Sequence, residues 1–150
     1  MLKKIVGSIW RKMPRFLRTK IIRFSQDKFT VSVAAVITNE DGKVLLLEHV
    51  LRPASGWGIP GGFVEHGEQT QDAIVRELHE ETGLHLENVK FFRARIVQNH
   101  VEFIFEAQAK GTAEVKSREI LSVEWFKPNE MPEEMPLIQK VIVRDVLKKS

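Results

Sequence analysis

The stretch that decides the fold is residues 62–84, which read GFVEHGEQTQDAIVRELHEETGL. It predicts a helix over residues 69–82, and Gly83 is a natural stop because glycine readily adopts the left-handed conformation that ends many helices. At about 100° per residue, one side of this helix is acidic. We expect the opposite side to face the core, since it carries the apolar residues Ile74, Val75 and Leu78.

Three carboxylates share the acidic side of this helix: Glu77, Glu80 and Glu81, at positions i, i+3 and i+4. Like charges at these spacings cost roughly a few tenths of a kcal/mol per pair, and only Arg76 adjoins the cluster. Hard divalent cations take oxygen ligands, and Mg²⁺ commonly combines a few carboxylates with waters and substrate phosphates. The pattern therefore predicts a site for one or more Mg²⁺ ions, with a solvated acidic face as the alternative.

The same stretch resembles the signature of the Nudix hydrolase family. Gly62 is followed by five residues, Glu68, seven residues and the run from Arg76 to Leu84, which matches the Nudix box GX5EX7REUXEEXGU (U, aliphatic) at every defined position. The resemblance implies an α/β/α sandwich with a mixed β-sheet. It also implies a pyrophosphatase that uses Mg²⁺, or Mn²⁺ in its place, to cleave a phosphoanhydride bond in a nucleoside diphosphate linked to another moiety. Water would attack directly, without a covalent nucleophile.

The resemblance implies a role for each residue of the box. Its principal metal ligands would be Glu80 and Glu81. Glu77 would be a further ligand or would help to activate water. Glu68 would pair with Arg76 and so orient the carboxylates, which is the support that a metal site needs. Gly61, just before the box, would offer its carbonyl to the metal, and Gly62 would permit a sharp turn.

A further metal ligand is expected from a loop beyond the box. In many family members a carboxylate lies six residues before a tryptophan, and Glu119 stands in that relation to Trp125. A solvated loop charge beside Arg118 is the alternative. Glu102 is a competing candidate because it also lies near a predicted strand end.

Candidate substrate contacts lie in the strands and loops around the box. Three arginines could clamp phosphate oxygens, because a guanidinium offers paired donors: Arg52, Arg93 and Arg95. Arg93 and Arg95 are two residues apart and share one face of a predicted strand. His100 is predicted at a hairpin tip, where it could contact substrate. Trp57 and Phe63 could stack on a base, unless they belong to the core.

Strands and helices intermix along the rest of the chain. The predicted strands cover residues 29–38, 43–50, 58–65 (interrupted at residues 60–62), 89–98, 101–109 and 121–126, and a closing helix covers residues 136–147. This mixture favours a mixed sheet between layers of helices. A length of 150 residues suits one compact domain, which we predict over residues 27–150.

Composition excludes several classes of site. The chain has no cysteine, which excludes disulfides and thiolate zinc sites. No apolar run reaches the roughly 18 residues that can span a bilayer, and the basic N-terminus lacks the apolar stretch of a secretory signal. A cytoplasmic location is the resulting expectation.

The net charge of +3 hides an asymmetry between the N-terminus and the rest. Residues 1–30 contain nine Lys and Arg against Asp27 alone, whereas the remaining 120 residues contain fourteen basic and nineteen acidic side chains. Residues 1–26 therefore form a basic arm, with a helical pattern that Pro14 kinks or divides. We predict that the arm packs on the domain or on a second copy in a homodimer. Contact with an anionic membrane surface or with RNA is the alternative.

Three functional classes remain open. The leading one is a hydrolase of ADP-ribose-like compounds, nucleotide sugars or nucleoside triphosphates, although position 100 is His rather than the Pro of many ADP-ribose pyrophosphatases. A Nudix module that senses a nucleotide without turnover is the second, and the complete set of box glutamates argues against it. An RNA 5′-end pyrophosphohydrolase is the third, supported only by the basic arm. The substrate depends on loops that one sequence does not decode.

Overall fold

The fold, described for residues 2–51 and 56–149 of a computed structural model, is a seven-stranded sheet with helices on both faces. The strands are β1 Thr30–Thr38, β2 Val44–His49, β3 Trp57–Gly58, β4 Gly61–Phe63, β5 His85–Val97, β6 His100–Lys110 and β7 Ile120–Phe126. The helices are α1 Leu2–Lys12, α2 Arg15–Ser25, α3 Thr70–Thr82 and α4 Leu137–Leu147. The predicted α/β/α sandwich with an N-terminal helical arm is confirmed.

Strand β1 organises the sheet. It runs parallel to β6 along its whole length and antiparallel to β2 and β4, so the sheet is mixed, as predicted. β5 pairs with β6, while β3 and β7 pair with β2. The turn between β1 and β2 closes on Asn39, whose side-chain oxygen accepts the backbone N–H groups of Asp41 and Lys43 at 3.1 and 2.9 Å.

The core lies on both faces of the sheet because β1 is covered on both sides. Val33, Ala35 and Ile37 point toward α3, whereas Ala34 and Val36 point toward α4. All five are buried, and burying a Val or Ile side chain contributes roughly 1.5–3 kcal/mol. This two-sided core holds α3 and β4, which carry the box, in a constant position relative to β1.

Helix α3 begins and ends close to the predicted residues, but its buried side differs from the prediction. Gly83 ends it with a φ of 71°, as expected. Ile74 is buried, as predicted, but Val75 is 38% exposed and Glu81 is only 7% exposed. The prediction of opposite acidic and apolar sides was therefore wrong. Ile74 precedes Glu77 by three residues and so lies only about 60° from it around the helix axis.

The hairpin of β5 and β6 also differs from the prediction. β5 begins at His85, four residues before the predicted start at residue 89. A register shift beside Asn88, whose φ is 54°, lets both Leu86 and Val89 pack against the same core cluster. Val97 pairs directly with His100. His100 is thus the first residue of β6 and not the hairpin tip.

The arm consists of two helices, divided at Pro14 as the sequence indicated. The arm was predicted to pack on the domain or on a second copy, and most large apolar side chains in its described part are exposed. No residue of α2 is buried, and eight large apolar side chains of the arm are between 39% and 80% exposed: Ile5, Val6, Ile9, Phe16, Leu17, Ile21, Ile22 and Phe24. None of the described helices is long and apolar enough to cross a bilayer.

Candidate functional site

Two glycines bring the backbone of β4 close to β1 and α3. A Cβ on Gly61 would overlap the carbonyl oxygen of Val33, and a Cβ on Gly62 would overlap the carboxylate of Glu77. Gly62 lies in strand β4, so it does not form the predicted sharp turn. The glycine with a positive φ between β4 and α3 is Gly67, at 85°. A side chain at position 62 would displace the Glu77 carboxylate, which occupies that space.

Arg76 links the carboxylates of the box. Its guanidinium donates two hydrogen bonds to Glu68, from Nε at 2.8 Å and from Nη2 at 3.0 Å. Nη1 donates to Glu77 at 2.9 Å and lies 3.4 Å from Glu80. Nη2 also donates to the carbonyl of Phe63 at 3.1 Å, which ties α3 to the end of β4. A planar, permanently charged group with several donors suits this position, and lysine could not replace it.

The charges of this network differ in how readily they are neutralised. The hydrogen bonds from Arg76 lower the pKa of Glu68 to about 2. Pairing with Glu68 raises the pKa of Arg76, so its charge is permanent. Burial raises the pKa of Glu77, although Arg76 works in the opposite direction. Of these groups, Glu77 therefore accepts a proton most readily, which is the property expected of a group that activates water.

The donors beside the glycines suit a hard cation. Glu77 and Glu80 already converge on one positive group, the Nη1 atom of Arg76. Glu81 follows Glu77 by one helical turn, and the Glu80 side chain is 60% exposed and can rotate. Within the described part of the chain, no three acidic or histidine side chains already lie close enough together to hold a metal ion. The residue types fit a divalent ion, and small side-chain rotations would have to complete its coordination.

The predicted extra acid lies in a loop attached to the end of α3. In this loop the backbone N–H groups of Glu114 and Lys116 donate to the carbonyls of Thr82 and Glu81, at 3.1 and 3.0 Å. Glu119, farther along the same loop, is exposed. Its competitor Glu102 is bound by Arg95 in the β5–β6 hairpin. The structure thus brings the loop of Glu119 to the helix that carries the box.

A cavity of about 190 Å³ opens beside Gly61 and Gly62 on the α4 side of the sheet. Ser32, His100 and Glu102 supply polar groups to its wall. His100 is held from both ring nitrogens, by Thr30 Oγ1 at 2.7 Å and by Ser32 Oγ at 2.8 Å. The imidazole therefore has a defined orientation at the cavity wall.

Phe63 stands at the same cavity, whereas Trp57 belongs to the core. The ring of Phe63 meets His100 edge to face, with 6.0 Å between centroids, and remains largely exposed. Trp57 packs edge to face on Phe126 at 5.1 Å, within the core cluster beneath α4. Of the two aromatic residues considered for base stacking, only Phe63 has an available face at the cavity.

The three arginines predicted to contact substrate have different surroundings. Arg95 donates to Glu102, which lines the cavity, at 2.5 Å. Arg93 donates to Asp145 of α4 at 3.2 Å. Both lie on the α4 side of the sheet, but only Arg95 is bound to a residue of the cavity wall. Arg52 falls outside the described residues.

Sequence reasoning missed two residues of this site. Ser32 is a buried hydroxyl within the otherwise apolar run of residues 31–37, and this break in the pattern was a usable signal. Gln139 of α4 accepts the backbone N–H of Ile59 at 3.0 Å and so fixes the segment that leads to Gly61. No sequence pattern indicated Gln139, because it contacts a residue eighty positions away.

Comparisons with known proteins address the family and the fold. The family model described as NUDIX domain matches residues 28–146. A MutT-like protein of Streptomyces ambofaciens is 31% identical over 121 residues, or 79% of this chain and 77% of that protein. The NAD-capped RNA hydrolase NudC of Vibrio parahaemolyticus is 29% identical over 67% of this chain, which spans only 40% of that protein's length. A solved MutT NUDIX hydrolase from Burkholderia pseudomallei has a TM-score of 0.70 and 26% identity, covering 79% of this chain and 98% of that one.

Proposed function

Because this chain belongs to the Nudix family of pyrophosphohydrolases, which generally depend on divalent metal ions, we propose that it is a Mg²⁺-dependent enzyme that cleaves the phosphoanhydride bond of a nucleoside diphosphate linked to another moiety. The observation that carries this proposal is the assembled box. Glu77, Glu80 and the Glu68–Arg76 pair are joined in one hydrogen-bonded network, directly beside the two glycines of β4.

Each residue of the site has a proposed task, and Glu77 has two. Glu80, Glu81 and the carbonyl of Gly61 would hold the metal, with Glu77 and the loop residue Glu119 as further ligands. A bound divalent ion would neutralise phosphate oxygens and lower the pKa of a water molecule. The residue types fit this role because all the side-chain donors are carboxylate oxygens.

Glu77 is the proposed acceptor of the proton from the attacking water. Its carboxylate lies against the backbone of Gly62, and burial raises its pKa, which favours proton uptake. The Arg76 guanidinium holds one oxygen of Glu77 at 2.9 Å, so the carboxylate has a defined direction. Glu68 in turn holds Arg76 through two hydrogen bonds and acts as a positioning residue.

The cavity beside the glycines is the proposed site of the nucleoside. Phe63 offers an aromatic face on which a base can stack. Glu102 can accept a hydrogen bond from a sugar hydroxyl or a base amino group, and Arg95 can exchange part of its pairing with Glu102 for a phosphate oxygen. The diphosphate would then extend past Gly61 and Gly62 toward α3. ADP-ribose-like compounds, nucleotide sugars and nucleoside triphosphates share this chemistry.

A panel of diphosphate substrates with Mg²⁺, assayed by release of phosphate or nucleoside monophosphate, tests the proposal. We expect turnover of at least one substrate, and Glu81→Gln should lower it by at least about a hundredfold. Even residues that only position the metal ligands change activity roughly 10–100-fold when they are mutated. Glu134→Gln is the matched control, because this exposed glutamate precedes α4 and lies outside the box. Turnover of no substrate, or near wild-type activity of Glu81→Gln, would overturn the assignment.

A further inference from the structure

Helix α1 of the arm exposes a continuous apolar side. Ile5, Val6 and Ile9 lie within an arc of about 100° around the helix axis, and each is more than half exposed. Trp10 lies at the edge of this arc and is half-buried. The remaining sides carry only small or basic residues, including Lys3, Lys4, Arg11 and Lys12. Such a helix has an exposed apolar side, and all the charged residues on its other sides are basic.

Helix α2 continues this arrangement. Leu17, Ile21 and Phe24 follow each other at i, i+4 and i+7 and form a second apolar stripe, which lines an open groove together with Lys20. No residue of α2 is buried, and its first turn contains no acidic residue. The two helices thus present exposed apolar side chains among basic ones along the whole arm.

The charge of the arm decides what can cover these apolar sides. Nine Lys and Arg stand against one acidic residue in residues 1–30. A second arm would cover the apolar stripes but would bring an equally positive segment next to the first, and like charges repel. RNA would satisfy the charge but has no extended apolar surface to cover several isoleucine, leucine and phenylalanine side chains. An anionic lipid bilayer offers both an apolar interior and a negative surface.

We propose that the arm is a membrane-surface anchor, with α1 and α2 lying in the plane of an anionic bilayer. The apolar sides would enter the acyl region, while the basic side chains would extend to the lipid phosphates. Trp10 lies at the edge of the apolar arc, at the depth that tryptophan favours in membranes. Each helix has eleven residues, a length that suits the interface. The anchor would hold the catalytic domain at the bilayer, whatever its substrate.

Co-sedimentation of the full chain with lipid vesicles tests this proposal. Vesicles of phosphatidylglycerol and phosphatidylcholine in equal amounts should bind the protein, whereas vesicles of phosphatidylcholine alone should bind it far more weakly, and added salt should weaken binding. The double variant Ile5→Gln/Ile9→Gln should bind anionic vesicles at least about tenfold more weakly, since each apolar side chain contributes to burial. Lys3→Gln/Lys12→Gln should lose about fivefold per lysine.

The matched control is Leu121→Gln/Leu137→Gln, which changes two leucines of the domain that are 59% and 71% exposed. It should bind vesicles like the wild type. All three double variants should melt at the wild-type temperature, because none of these side chains is buried in the domain core. If the control weakens binding as much as the arm variant does, apolar exposure in general explains the binding and the anchor is refuted.

Tryptophan fluorescence tests whether the arm enters the bilayer. Trp10 is one of three tryptophans, so a blue shift on vesicle addition should disappear in Trp10→Phe while co-sedimentation remains. Binding to RNA that survives Ile5→Gln/Ile9→Gln, together with no binding to anionic vesicles, would overturn the proposal in favour of a nucleic-acid arm. A lipid-free dimer that this variant converts to a monomer, detected by light scattering, would overturn it in favour of a second copy.

Discussion

Replacing Gly62 with alanine tests whether activity depends on where the Glu77 carboxylate lies. The new Cβ would overlap Cδ and Oε1 of Glu77 and lie 2.5 Å from its Oε2. Because Cβ atoms keep at least 3.0 Å from such neighbours, Oε2 must retreat by at least 0.5 Å, and Cδ and Oε1, which lie closer, must retreat farther. Displacements of about 1 Å at an active site can lower the rate roughly a hundredfold. We therefore expect kcat to fall by about ten- to a hundredfold.

Folding of the Gly62→Ala variant should be nearly unaffected. The overlapping atoms belong to the end of a flexible side chain, which can rotate without moving the backbone. Gly62 does not have a positive φ, so alanine introduces no backbone strain. Alanine also restricts the unfolded chain, which can stabilise a protein by about 0.4–1 kcal/mol. The melting temperature should therefore stay within a few degrees of the wild-type value.

Gly61→Ala is the matched control, with the opposite outcome. Its Cβ would overlap the carbonyl oxygen of Val33 and lie 2.8 Å from Cα of Ala34, both backbone atoms of β1. The strands themselves must then separate, and overpacking of this kind costs about 1–3 kcal/mol. For a chain of this size that corresponds to a melting temperature lower by about 2–12 °C.

The assay measures kcat for the best substrate of the panel at saturating Mg²⁺, together with thermal melting of each variant. A Gly62→Ala variant that keeps the wild-type kcat would show that the position of Glu77 does not matter for turnover. If instead Gly62→Ala melts at as low a temperature as Gly61→Ala, the Glu77 side chain does not relieve the overlap by rotating. Either result would refute the reasoning from the close approach of β4 and α3.

Three further predictions concern the surroundings of the box. Because Arg76 lowers the pKa of Glu68 from 4.5 to about 2 in the folded state, the ionised carboxylate stabilises the fold above pH 4.5. The difference in melting temperature between wild type and Glu68→Gln should therefore be constant at neutral pH and shrink as the pH falls from 4.5 toward 2; a constant difference throughout would contradict the pairing. Glu119→Gln should weaken the activating affinity for Mg²⁺ by about tenfold, and an unchanged titration would remove Glu119 from the ligand set. Arg95→Ala should raise KM about tenfold through the loss of a charged contact, whereas Arg93→Ala should leave KM within about twofold. Equal effects on KM would show that contact with the cavity wall does not separate Arg95 from Arg93.

The sequence anticipated the elements that depend on local patterns. The strands β1, β2 and β7 and the helices α3 and α4 lie within a residue or two of their predicted ranges, because apolar periodicity and glycine or proline stops operate over a few residues. The start of β5 was missed because the irregularity at Asn88 breaks the alternation of buried and exposed residues. The exposure of Val75 was missed because the sequence does not reveal which arc of α3 faces the sheet.

The residue types and spacing of the box were determined by the sequence alone. Covalent spacing within one helix sets the relative directions of Glu77, Glu80 and Glu81, so a carboxylate cluster could be predicted before any fold was known. The family also follows from this local pattern. No tertiary contact is needed to identify either, because both depend on positions within residues 62–84.

Only the tertiary structure decided how deeply each group of the site is buried and what it contacts. Ser32 and His100 are sixty-eight positions apart, yet they share a hydrogen bond of 2.8 Å because β1 and β6 run parallel side by side. The Glu77 carboxylate owes its position to β4, whose glycine leaves room for it. Such contacts arise when strands that are far apart in the chain pair with each other, and the free energy that selects one pairing is summed over the whole core. A short stretch of sequence therefore does not predict which strands pair.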